Sequence, residues 1–171
     1  MKTSQLQSSE YHPYYAPYIE ALGETDLVTA LKKGRDEFVN FLEAIPEDKW
    51  QYAYAEGKWT IAQLVLHLID AERVFQYRAL RFSRKDRTDI PGFEQDNYVA
   101  TSDAQHRDKH SLIEEYTAVR NAGIHLFENF TDEMLLAIGT ANKTQMSVRA
   151  LGFVISGHQR HHQKVIQERY L

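Results

Sequence analysis

The sequence predicts an all-α protein, a four-helix bundle with one long crossover connection and an N-terminal arm. Three observations carry this. Four long segments repeat apolar residues at helical spacing. Only four prolines and eight glycines interrupt 171 residues, which favours long helices over many short strands. One stretch, residues 84–105, loses all periodicity and is long enough to cross a small fold from end to end. The length fits one domain with a sizeable core, divided into an arm over 1–23 and a bundle over 24–171.

The arm carries Tyr11, Tyr14, Tyr15 and Tyr18, too many aromatics for a disordered tail. It reads either as an extended segment packed across the domain or as a set of tyrosines lining a pocket mouth. The first helix is expected from Thr25, its N-cap, to Ile45, with Leu27, Leu31, Phe38 and Leu42 on one face and Pro46 closing it. The second opens on a capping box, Thr60 with Gln63, and its stripe of Ile61, Leu64, Leu68, Ala71 and Phe75 continues toward Ser83. The crossover begins with turn chemistry, Asp86 to Gly92. A third helix covers 106–130, with Leu112, Tyr116, Val119 and Phe127 inward. Thr131 caps a short helix to Ile138, Gly139 to Gln145 reads as a polar turn, and Ser147 caps a fourth long helix to Arg169.

Composition excludes several function classes. Apolar residues at 43% and charged residues at 26% are ordinary for a globular protein. A net charge of −4 gives no basic face for nucleic acid. With no cysteine there is no disulfide, thiolate ligand or cysteine nucleophile, so any metal must use nitrogen and oxygen donors. No secretory h-region and no membrane-length apolar run is present, so the cytoplasm is the default location. There is neither a phosphate-cradling glycine loop nor a nucleophile-elbow serine.

The chemistry gathers in histidine. Gly157-His158-Gln159-Arg160-His161-His162 places three of the eight histidines within five positions. On a helix, 158 with 162 and 158 with 161 are both chelating spacings. Successive positions turn by about 100°, so 161 and 162 do not both point squarely at one ion, and the apolar stripe does not choose between them. His67 lies three residues after Leu64 and four before Ala71, on the inward face of the second helix. If the two helices are neighbours, His67 adds a donor from another element. Neutral imidazoles suit zinc, nickel or iron, and three protein ligands leave positions open for water or substrate. The plainer reading of each histidine is a hydrogen-bonded core residue.

Asp70, one turn after His67, is a candidate to accept the outward N–H of a ligand ring; otherwise it and Glu72 form ion pairs or sit in solvent. Arg73, Arg78 and Arg81 follow on the same helix as an ion-paired or solvated face, with Arg78 or Arg81 open to a substrate carboxylate or to the crossover. His106, His110 and His125 are read as surface or loop positions.

These residues resemble a known family. Trp59-Thr60-Ile61 leading to His67-Leu68-Ile69-Asp70-Ala71-Glu72, with the terminal Gly157–His162 run, is similar to the DinB superfamily. Ile90 to Tyr98 and the ending Glu168-Arg169-Tyr170-Leu171 narrow the resemblance to its YfiT-like branch, the DinB_2 type, over residues 25–171. The resemblance implies a three-histidine centre for one divalent metal ion, zinc or nickel, with His67, His158 and His162 as ligands and His161 outside. It also implies a homodimer acting on a small molecule, since relatives include transferases using low-molecular-weight thiols, a maleylpyruvate isomerase and metal hydrolases. The expectation is a metal-dependent transferase or hydrolase that activates a thiol or water, with no catalytic residue assigned beyond the ligands. The alternative is a non-catalytic, stress-related dimer in which the metal staples two helices.

Overall fold

In the computed structural model, which describes residues 1–171, the elements run in order α1 (Ala16–Glu20), α2 (Leu27–Ala44), α3 (Ile61–Ser83), α4 (Gln95–Ala100), α5 (Lys109–Glu128), α6 (Asp132–Leu136), β1 (Ile138–Ala141), β2 (Thr144–Ser147) and α7 (Val148–Arg169). The four long helices close a bundle: α3 packs on α5 and α7, and α2 packs on the same two. The second and fourth long helices of the sequence are therefore neighbours. Their contact seam is apolar, with Phe75 from α3 and Leu151, Val154 and Ile155 from α7 in one core cluster.

The helix starts follow local polar chemistry. Thr60 Oγ1 accepts the Gln63 amide at 3.2 Å while Gln63 Oε1 accepts the Thr60 amide at 2.9 Å, the capping box expected. Ser147 caps α7 through the Ala150 amide at 3.1 Å, and Thr131 caps α6. Two boundaries differ from the sequence reading. Asp26 rather than Thr25 caps α2, because its carboxylate reaches two orphan amides, Val28 at 3.0 Å and Thr29 at 3.3 Å. The third long helix starts at Lys109 because Asp108 takes the Ser111 amide at 2.8 Å.

Residues 138–147, read as the end of a helix and a polar turn, form instead an antiparallel hairpin with Ile138 opposite Ser147 and Ala141 opposite Thr144. The two turn residues, Asn142 and Lys143, have φ of 51° and 60°. Positive φ at both positions is what a two-residue hairpin turn of matching twist requires. The crossover docks on this hairpin: the Ile90 amide donates to Thr140 O at 3.0 Å and Ile90 O accepts the Asn142 amide at 2.8 Å. A segment without periodicity of its own is thereby held in place.

The arm is packed across the domain but is not extended. It turns through short 3₁₀ segments at Thr3–Gln5, Ser8–Glu10 and Pro13–Tyr15 before α1. Pro13 and Pro17, at early helical positions, supply the fixed φ that starts a turn. Arg149 at the start of α7 forks onto Glu10, with Nε to Oε2 at 2.7 Å, both side chains buried. Further along, Gly157 lets α1 lie directly on α7, since a Cβ there would sit 2.1 Å from the Tyr18 carbonyl oxygen. Gly157→Ala gains about 1 kcal/mol of helix propensity and incurs an overpacking cost of about 1–3 kcal/mol or more. Because the obstacle is backbone, the cost wins. The variant is expected to melt earlier and to expose the arm to limited proteolysis ahead of the bundle; wild-type resistance in both assays would contradict this packing.

One buried ion pair ties three of the four long helices. Arg120 on α5 donates from Nε to Glu72 Oε1 at 2.8 Å and from Nη2 to Oε2 at 2.9 Å, on α3. Its Nη1 reaches Leu31 O on α2 at 3.3 Å. Glu72 is thus a structural ion-pair partner.

Candidate metal centre

The facing surfaces of α3 and α7 bring three imidazoles to one point. His158 Nε2 lies 3.3 Å from His67 Nε2 and 2.9 Å from His162 Nε2. The donor atoms of the three rings all fall within 4.8 Å of one another. An ion about 2.0–2.1 Å from each of two imidazole nitrogens, at tetrahedral to octahedral angles, sets those nitrogens about 2.9–3.4 Å apart. The two close separations fit that spacing. His161 is exposed and its ring lies 5.2 Å from that of Tyr18, outside the cluster. The i, i+4 pair, 158 with 162, is the one that converges with His67.

The rings are poised as neutral donors. Burial pushes His67 down to about 4, with Asp96 pulling slightly the other way. Burial also takes His162 to about 3, helped by His67 and His161, and holds His158 well below the ordinary histidine range. All three therefore keep a free lone pair near neutral pH, the form that ligates a divalent cation. The donor set is all nitrogen, which suits zinc or nickel better than calcium or magnesium.

The rings are oriented by packing. Trp59, just before the α3 cap, lies 4.9 Å from His67 between ring centres, and Tyr18 lies 5.4 Å from His158. His162 Nδ1 is buried with no hydrogen-bond partner. Asp70 lies 3.5 Å from Arg73, which also pairs with Glu115 at 2.8 Å.

His67 and His158 open onto a cavity of about 520 Å³. Tyr14, Tyr15 and Tyr18 of the arm line it, so both readings of the arm describe one feature: packed across the domain, with its tyrosines at the cavity wall. The crossover contributes Phe93 and Asp96, and the hairpin contributes Asn142 and Met146. Arg78 from α3 lines the cavity, while Arg81 pairs with Asp86 of the crossover. His106, His110 and His125 are exposed, at 72%, 83% and 78% of the side chain, and far too solvated to join a buried cluster. The hairpin's share of the wall had no sequence signal, because its four-residue strands are too short for a period to show.

A profile of the DinB superfamily, DinB_2, matches residues 30–166. The chain belongs to the DinB superfamily. This DinB protein is 26% identical over 142 residues to a protein of Geobacillus thermodenitrificans named "Putative metal-dependent hydrolase", covering 79% of this chain and 77% of that one. Its fold is similar to YfiT from Bacillus subtilis, described as "a probable metal-dependent hydrolase with an unusual four-helix bundle topology", with a TM-score of 0.72 at 16% identity over 83% of this chain and 82% of YfiT. It is also similar to a mycothiol-dependent maleylpyruvate isomerase, with a TM-score of 0.67 at 11% identity over 81% of this chain and 58% of the other. These structural likenesses establish the fold of the DinB protein as a YfiT-type four-helix bundle. No helix is long and apolar enough to cross a membrane.

Proposed function

We propose that this DinB protein is a metal-dependent enzyme in which His67, His158 and His162 hold one divalent ion, zinc or nickel. The observation that carries the reading is the convergence of three neutral imidazoles, with Nε2 separations of 2.9 and 3.3 Å, beside a cavity large enough for a small molecule. An ion held by these three residues would supply Lewis acidity, lowering the pKa of a thiol or water toward neutral pH. The chain's own residues do the rest. The two helices fix the donors, Trp59 and Tyr18 pack against the rings, and Phe75, Phe93 and Met146 make part of the cavity wall apolar. The substrate class is a small electrophile, attacked by a low-molecular-weight thiol or by water; thiol transfer is the form we favour, consistent with a mycothiol-dependent relative of the same fold.

The test is a paired rate measurement. Conjugation of a reactive electrophile with glutathione, cysteine and other small thiols is followed alongside ester hydrolysis, before and after treatment with chelator. The expected result is a thiol-dependent rate that falls to background with chelator and returns on adding zinc or nickel. Rates indifferent to chelator would contradict an enzymatic centre and favour an ion that only staples α3 to α7.

A further inference from the structure

Three arginines are buried in this fold, and they are not equivalent. Arg120, fully buried, is forked onto Glu72. Arg149, 7% exposed, is forked onto Glu10. Arg78, 4% exposed, has no carboxylate: only burial and the Tyr15 hydroxyl act on its charge, and its Nε is buried without a hydrogen-bond partner. Taking a guanidinium out of water costs several kcal/mol unless a counter-charge meets it. The chain supplies that counter-charge twice and omits it the third time, and the third arginine is the one that lines the cavity beside His67 and His158.

We propose that Arg78 is the anchor for a carboxylate of the bound small molecule, so that the cavity takes a ligand with an acid group at one end and its reacting group at the histidine end. The inference rests on the proposed function for the identity of that second end. Its charge logic is local. Arg78 is the only guanidinium or ammonium on the cavity wall, while the other fixed charges there, Glu94 and Asp96, are acidic and exposed to solvent. A single unpaired guanidinium balances one negative charge, which matches a carboxylate better than a phosphate dianion. Its planar fork suits two carboxylate oxygens. Phe75, whose ring lies 5.8 Å from the guanidinium carbon, packs edge to face with Tyr15 at 6.2 Å between ring centres, and the two aromatic rings flank the same part of the cavity wall as Arg78.

The experiment uses the full chain stripped of metal by chelator, so that binding at Arg78 is read apart from the metal centre. Acetate, succinate, benzoate and phosphate are titrated by calorimetry and by thermal shift against chloride at matched ionic strength, into wild type, Arg78→Lys and Arg78→Met. Expected is saturable binding of at least one carboxylate to wild type, weakened about tenfold to a hundredfold in Arg78→Met, the loss that follows from removing one charge-assisted pair. Arg78→Lys should fall between, since it keeps the charge and loses the fork. No carboxylate-specific binding in wild type, equal binding in Arg78→Met, or binding of phosphate in place of carboxylates would each overturn the assignment. If the protein takes up metal but binds no carboxylate, the inference fails and the proposed function stands. If carboxylates bind through Arg78 but no metal is taken up, the converse holds.

Discussion

Glu72→Ala is expected to destabilise the protein by about 3–5 kcal/mol, the cost of leaving one member of a buried ion pair without its partner. The reason is geometric. Arg120 is fully buried and both of its donor faces toward Glu72 are used, at 2.8 and 2.9 Å. Urea unfolding would show the effect as a lower midpoint with an unchanged slope. The double variant Glu72→Leu with Arg120→Met is expected to recover most of the loss, because an apolar pair of similar volume carries no desolvation cost. A Glu72→Ala protein within about 1 kcal/mol of wild type would show that the pair does not hold the bundle.

The second large effect concerns metal. In the proposed centre, the buried His67 and the half-buried His158 and His162 come together only in the folded chain, so an ion held there would stabilise it by linkage. With free metal at 100 to 1,000 times its dissociation constant, that increment is about 2.7–4.1 kcal/mol. Chelator is expected to lower Tm of the wild type accordingly, and added zinc or nickel to restore it. His158→Ala should show no such response, because His158 is the ring that lies close to both of the others. A chelator response retained in His158→Ala would place the bound ion elsewhere in the protein.

Much of this was legible in the sequence because it was periodic or local. The four long helices announced themselves by apolar stripes, and three of the caps, Thr60, Thr131 and Ser147, by residue type alone. His67 was placed inward by its spacing from Leu64 and Ala71, and it is buried. Other features depended on pairings distant in sequence. Glu72 could be read as an ion pair, but its partner 48 residues away could not be chosen among twenty basic residues. The hairpin escaped because four-residue strands give too little alternation, and because Asn142-Lys143 lacks the glycine that usually marks such a turn. Between His161 and His162 spacing alone was neutral; the position of α3 relative to α7 turns one ring toward His67 and leaves the other against Tyr18.

The most direct test of the central claim is metal stoichiometry, measured by elemental analysis on wild type, His158→Ala and His161→Ala purified in parallel and dialysed against the same metal buffer. The account predicts one equivalent of a divalent ion per chain in wild type and in His161→Ala, whose ring is exposed and outside the cluster, and none in His158→Ala. Full metal content in His158→Ala, or loss in His161→Ala alone, would contradict it.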